Sequence, residues 1–206
     1  MFSVIERNRR FKAADEMMKK EGLSGLLMVG NGAVGTNSYG CFRYLTDNRV
    51  YYYLLTAVFA PDKEPVAIAT SFISQLEFIN NSFIKDCRIF SDAVEGICAI
   101  FEEMGIKSGK VGTCLELLPT SWLLRLEERF PQIEWVDVTE PLFEIRNVHS
   151  EEEVETIRKC ARLADEGYEA VKRTIKPGMT EQQVVAELEY AIQRKGGEYN
   201  FSLISS

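Results

Sequence analysis

Between Ser150 and Gly197 the apolar positions fall three and four residues apart: Val154, Ile157, Ala161, Ala164, Tyr168, Val171 and Ile175. That spacing gathers them on one face of an α-helix about six turns long. Ser150 and Glu153 make a capping box at its start, the hydroxyl accepting an early backbone N–H while the carboxylate reaches back. Glu155 with Lys159 and Glu169 with Arg173 are favourable i,i+4 pairs for the solvent side. Lys176-Pro177-Gly178 ends the helix, because proline disfavours helical backbone before it and glycine permits a reversal. Thr180 and Gln183 then cap a second helix with Val184, Val185, Leu188 and Ile192 on its apolar face, ended by Gly196-Gly197.

Before residue 140 the pattern changes character. Residues 3–21 keep helical spacing, with Val4, Phe11, Ala14, Met17 and Met18 predicted inward and Gly22 as the stop. Leu23 to Val29 is an apolar run of strand length, followed by a polar, glycine-rich loop from Gly30 to Cys41. Phe42 to Thr46 is expected to re-enter the sheet region. Val50 to Ala60 and Pro65 to Thr70 are aromatic and β-branched runs joined by Pro-Asp-Lys-Glu-Pro, the signature of a hairpin. Helices over 72–81, 92–104 and 119–130 then alternate with strands over 86–90, 109–115 and 133–138. Thr139-Glu140-Pro141 opens a short helix, with proline in the tolerated first position.

Strand–helix–strand alternation predicts parallel crossovers, and the hairpin adds an antiparallel pair. Residues 1–140 are therefore expected to be an α/β domain with a mixed sheet, 141–149 a connection, and 150–206 the start of a second domain. After Gly197 the residues Glu-Tyr-Asn-Phe-Ser-Leu-Ile-Ser-Ser alternate as a new strand. Nothing follows to pair its backbone, so the second domain is expected to be incomplete: two helices and a strand.

The wording of the helical pair is more specific than its periodicity. Ser150, Glu153, Val154, Ile157, Arg158, Cys160 and Ala161, then Lys176 to Glu181, stand in the order of two phrases typical of pita-bread metallopeptidases. The stretch closely resembles the opening of that family's catalytic domain. The family includes Xaa-Pro dipeptidases, Xaa-Pro aminopeptidases and creatinase. His149 stands where lysine is usual. Tyr44-Leu45-Thr46 also resembles a phrase common in the creatinase-like N-terminal domain, with Asp47 in place of its glycine. The resemblance implies a mixed-sheet, creatinase-like N-terminal domain followed by a truncated start of an α+β pita-bread domain.

A net charge of −7 argues against a phosphate-binding surface and hence against a nucleic-acid partner. Arg7, Arg9, Arg10 and Lys12, the densest basic group, read as a solvated helix face. No apolar run reaches membrane-spanning length; Val50 to Pro61 is the longest. Cysteines 41, 87, 98, 114 and 160 are odd in number, without C-x-x-C spacing, and mostly set among apolar residues. Buried, reduced thiols in a cytoplasmic protein fit that usage better than a disulfide framework or a zinc site.

Three stretches invite a chemical reading. Gly30 to Gly35 matches the G-x-G-x-x-G dinucleotide fingerprint after a strand, yet no helix-forming run follows to meet a pyrophosphate, so a loop is expected. His149, the only histidine, lies beside Glu152 and Glu153, but acids at a helix start complement its dipole, and a metal centre needs ligands converging from several elements. Cys41 is expected to be the most exposed thiol, with Arg43 its only obvious basic neighbour, and is read as a plain thiol.

The resemblance implies a dinuclear centre of two aspartates, one histidine and two glutamates, all beyond the point matching Phe201 to Ser206. No residue of this chain is therefore assigned a catalytic, cofactor-binding or metal role. For the complete protein the resemblance implies a metallo-aminopeptidase or Xaa-Pro dipeptidase, using two manganese, cobalt or zinc ions on short proline-containing peptides. It also implies a homodimer whose N-terminal domain narrows access to the active site, and a chain that is inactive by itself. The alternatives are a creatinase-like C–N hydrolase and a pita-bread protein that binds without catalysis.

Overall fold

The computed structural model describes residues 2–31, 40–49, 54–198 and 202. The chain forms two compact units, Met1–Val148 and His149–Ser206.

In the first unit, six strands make one mixed sheet: β1 (Leu23–Asn31), β2 (Leu54–Phe59), β3 (Val66–Ala69), β4 (Cys87–Ile89), β5 (Gly109–Thr113) and β6 (Ile133–Asp137). Their spatial order is β4-β3-β2-β1-β5-β6. β1 and β2 pair antiparallel, as do β2 and β3. The pairs β3/β4, β1/β5 and β5/β6 are parallel. The hairpin and the crossovers are those that the hydrophobic pattern demands. Residues 50–53, the opening of the expected first hairpin strand, lie outside the described residues.

Among the described residues, six helices complete this unit: α1 (Val4–Glu21), α2 (Gly40–Thr46), α3 (Phe72–Asn81), α4 (Ala93–Met104), α5 (Thr120–Arg129) and α6 (Thr139–Asn147). Side-chain caps set several starts. Ser3 accepts from the Glu6 N–H at 3.2 Å, Ser71 and Ser74 form a reciprocal box, and Asp92 accepts from the Val94 N–H at 2.8 Å. The core runs along the sheet through Leu26, Ala57, Ala67, Ile68 and Val111, with Phe78 of α3 and Ile97, Ile100 and Phe101 of α4 against it. Gly96 lets α4 lie close on the sheet: a Cβ there would stand 2.9 Å from the Ile68 methyl.

Three expectations are corrected. Phe42 to Thr46 is not a strand but most of α2, with Phe42 and Leu45 fully buried and the Thr46 hydroxyl donating to the Phe42 carbonyl at 2.8 Å. Five residues are too few for periodicity to separate helix from strand. On α1 the inward face is Glu6, Arg10, Ala14, Met17 and Met18, whereas Val4 is 63% exposed. Arg10 thus leaves the solvated basic group and enters the core, because a carboxylate one turn earlier accompanies it. Pro141 is the third residue of α6 rather than the first, still within the turn whose N–H groups need no helical acceptor.

Residues 141–147, expected as a connection, belong to α6, and Leu142 is fully buried in the first unit's core. Asp47 takes φ +59°, the left-handed conformation that a glycine would adopt freely. Its carboxylate accepts from the Phe2 N–H at 3.0 Å, a contact no glycine could supply.

The second unit contains α7 (Glu151–Thr174) and α8 (Glu181–Gln193). Both capping boxes form: the Ser150 N–H donates to Glu153 at 2.9 Å and the Glu153 N–H to the Ser150 hydroxyl at 3.1 Å, and Thr180 with Gln183 does likewise. Gly178 makes the reversal at φ +91°. The helices meet at Gly167, where a Cβ would stand 2.7 Å from the Leu188 Cδ1 and 2.9 Å from the Ile192 Cγ1. Ile157, Tyr168 and Ile175, on the apolar stripe of α7, are all more than half exposed. The strand expected after Gly197 lies almost wholly outside the described residues.

Candidate functional site

The densest chemistry of the first unit lies where β1 and β5, adjacent parallel strands, deliver the chain at their carboxyl ends. β1 has parallel β5 on one side and antiparallel β2 on the other. Sheets of this type collect functional groups at such a change of direction. Cys114 immediately follows β5, and Cys41 is the second residue of α2, the next described element after β1. Each thiol shifts the titration of the other. Arg146, in the last turn of α6, donates from Nη1 to the Cys41 sulfur at 3.4 Å. Gly40 makes room for that approach, since a Cβ there would stand 2.7 Å from the Arg146 Nη2.

The electrostatics of the two thiols diverge. The Cys114 thiol, followed by the hydrogen bond from the Arg146 guanidinium and its charge, holds the Cys41 thiol below the usual range against the opposing effects of burial and Glu116. Cys114 is pushed up, by Cys41 and by burial, with the Thr139 hydroxyl acting the other way. Burial pushes the Cys87 thiol up to about 12 and raises Cys98 as well. Sequence reasoning misplaced this site. Cys41 is 4% exposed rather than open, and its cation is Arg146, more than a hundred residues away, rather than Arg43. The exposed cysteine is Cys160, on α7. No spacing rule connects residues 41 and 146; the packing of α2 against α6 does.

A second polar group is buried on α1. The Arg10 Nε donates to Glu6 at 2.7 Å and its Nη1 to the Tyr44 carbonyl at 2.9 Å. The guanidinium lies over the rings of Phe2 and Tyr44, 4.2 and 4.6 Å from their centroids. Arg9 takes the remaining oxygen of Glu6 at 2.9 Å. With its acceptors filled by protein, this cluster is a clamp between α1 and α2. In the second unit a cavity of about 590 Å³ between α7 and α8 is lined by Glu166, Glu169, Arg173, Glu187, Tyr190 and Lys195 among others.

Residues 10–148 match the Creatinase/Prolidase N-terminal domain, and residues 155–206 match Metallopeptidase family M24. The chain belongs to the creatinase/prolidase family. Creatinase from Bacillus sp. (strain B-0618) is 26% identical over 198 residues, which cover 94% of this chain and 46% of that protein. Xaa-Pro dipeptidase from Pyrococcus horikoshii is 27% identical over 138 residues, 63% of this chain and 36% of that one. In three dimensions, 90% of the chain superposes on 49% of an X-Pro aminopeptidase from Thermotoga maritima, with a TM-score of 0.77 at 16% identity. At that identity the likeness is one of fold. The chain spans about half the length of the creatinase, and less of the dipeptidase.

Within this family the question is which residues here could hold metal. His149 is exposed, and Glu152 and Glu153 lie in the first turn of α7, where the Glu153 carboxylate serves the capping box. Among the described residues no group of three or more histidine, cysteine, aspartate or glutamate side chains could hold a metal ion. The donor set present does not fit a dinuclear centre, and no catalytic step is assigned to these residues. Of the glycine-rich stretch, Gly30 and Asn31 close β1 and residues 32–35 lie outside the described residues. No helix among the described residues is long and apolar enough to cross a membrane.

Proposed function

We propose that this chain is the N-terminal portion of a metal-dependent Xaa-Pro peptidase, a dipeptidase or an aminopeptidase, whose metal ligands lie outside residues 1–206. The observation that carries this reading is the order of the two family matches on the two units. The N-terminal-domain match ends at 148, where the first unit ends, and the M24 match begins at 155, inside α7 of the second. In the complete protein two divalent ions, manganese, cobalt or zinc, would activate a water and polarise the scissile carbonyl.

The first unit then serves assembly and access. Phe72, Ile73 and Leu76 of α3 are exposed beside the edge strand β4, whose Ile89 is also exposed. A patch of this kind supports a homodimer contact. Five unpaired cysteines support a reducing, cytoplasmic location. The exposed stripe Ile157, Tyr168 and Ile175 is the surface on which further structure of an M24 domain would pack.

A second reading, a creatinase-like C–N hydrolase, is favoured by the creatinase match over 94% of the chain. One substrate panel separates the readings. The full-length protein with manganese is expected to release proline from Ala-Pro, or the first residue from an Xaa-Pro tripeptide, and to leave creatine intact. Creatine hydrolysis without peptide cleavage would select the second reading. Binding of these compounds without turnover of any would select a silent pita-bread protein.

A further inference from the structure

The helix α3 lies over the edge strand β4, on the face of the sheet away from α4. The crossovers from β3 to β4 and from β4 to β5 run in opposite directions along the sheet, so right-handed connections place their helices on opposite faces. Arg88 of β4 reaches Glu103 of α4 at 3.0 Å, and strand alternation therefore turns Cys87 and Ile89 towards α3. The first turns of α3 present Phe72 and Ile73, 66% and 71% exposed, together with Leu76, and Ile89 extends that surface to the sheet edge. Residues 71–76, Ser-Phe-Ile-Ser-Gln-Leu, carry no charge. At the areas such side chains offer, the exposed fractions amount to about 400 Å² of apolar surface, roughly half of what each partner brings to a standard interface.

We infer that a second copy of this chain covers the patch, with α3 packed on α3 of that copy about a two-fold axis beside Ile73. This surface and mode rest on the homodimer reading above. Charge selects the occupant. A two-fold contact sets the patch against its own image, so a net charge there would repel itself. Arg88 is held by Asp86 at 2.7 Å and by Glu103, the Lys85 ammonium donates to the Ile79 carbonyl at 2.8 Å, and the centre is neutral. A strongly acidic or basic partner finds nothing in that centre to pair with. Hydrogen bonding selects the mode. The Asp86 carbonyl accepts from the Ala67 N–H at 2.8 Å and the Phe90 N–H donates to the Ala69 carbonyl at 3.0 Å. The outward backbone groups of β4 are therefore those of Cys87 and Ile89. The Gln75 side-chain amide donates to the Cys87 carbonyl at 2.5 Å. A side chain of α3 thus occupies the edge where an added strand would pair, and the contact is helix on helix.

The test is sedimentation of the full-length protein at micromolar concentration, where the wild type is expected to be a dimer. Ile73→Glu brings two carboxylates together across the axis and should raise the dissociation constant about a hundredfold or more, giving a monomer. Glutamate at the second position of α3 suits the helix N-terminus, so the variant should keep the wild-type far-UV dichroism. Leu124→Glu, on α5 and comparably exposed, should leave the dimer intact. Ile73→Cys should be linked to the same residue of the second copy by a short bismaleimide, the joined peptides being identified by mass. That link decides the matter even if Ile73→Glu fails to fold. The proposal is overturned, with the homodimer reading intact, if the dimer survives Ile73→Glu, if Leu124→Glu dissociates it as well, or if no link joins the two Ile73→Cys positions. A monomeric wild type would overturn both. None of these readouts depends on peptide cleavage, so each stands whatever the substrate panel gives.

Discussion

The Glu6 and Arg10 side chains are 3% and 4% exposed, and the buried Arg10 charge relies on the Glu6 carboxylate in place of water, while Glu6 is also paired with Arg9. Removing one partner of such a pair strands the other, a loss of about 3–5 kcal/mol, whereas removing both costs far less. Glu6→Leu, which takes the carboxylate from the buried guanidinium, should therefore lower the stability of the first unit by about 3 kcal/mol or more in urea unfolding. Glu6→Leu combined with Arg10→Met should recover a large part of that loss; equal losses for single and double variants would contradict the account. The same residues show what hydrophobic spacing conceals. Positions 6, 10, 14, 17 and 18 are a regular helical face, but the face is visible only if a salt-bridged pair is allowed to count as inward. Asp47 is the opposite case: it stands where a family phrase has glycine, and only the structure shows that it keeps the left-handed φ of +59° open to glycine.

At the scale of elements, the helical ends and the α7–α8 turn were the most legible part of the chain. Caps and the proline–glycine stop act through local backbone hydrogen bonds, which the sequence spells out residue by residue. Ser150→Ala should cost the second unit about 1 kcal/mol, read as faster amide exchange in the first turns of α7. Gly167→Leu should do more. Its side chain would enter space held by Leu188 and Ile192, an overpacking worth about 1–3 kcal/mol, and α8 amides should lose protection while those of β1 and β5 keep theirs. Unchanged α8 exchange would mean that the helices do not pack through Gly167. The short helix α2 was not legible, because so few residues carry no clear period. The Cys41–Arg146 contact was not legible either, since it joins α2 and α6, which lie more than ninety residues apart in the chain.

For the whole molecule, the mixed sheet follows from alternation and one hairpin, but the end of the first unit depends on a burial that only packing reveals. Leu142 has no exposed surface, and the Tyr44 hydroxyl reaches the Ile145 carbonyl at 3.4 Å. A chain of residues 1–148 is thus expected to unfold cooperatively, and one ending at 140 to be several degrees less stable or molten, as thermal scans followed by near-UV dichroism would report. Equal melting of the two would place α6 outside the fold. The proposal that this chain is the N-terminal portion of a metallopeptidase makes a sharper demand. Proline release from Ala-Pro, followed against added manganese for the full-length protein and for residues 1–206 side by side, tests it most directly. The account predicts saturable, chelator-sensitive turnover by the full-length protein and none by the chain. Turnover by residues 1–206, or metal-independent turnover by the full-length protein, would contradict it.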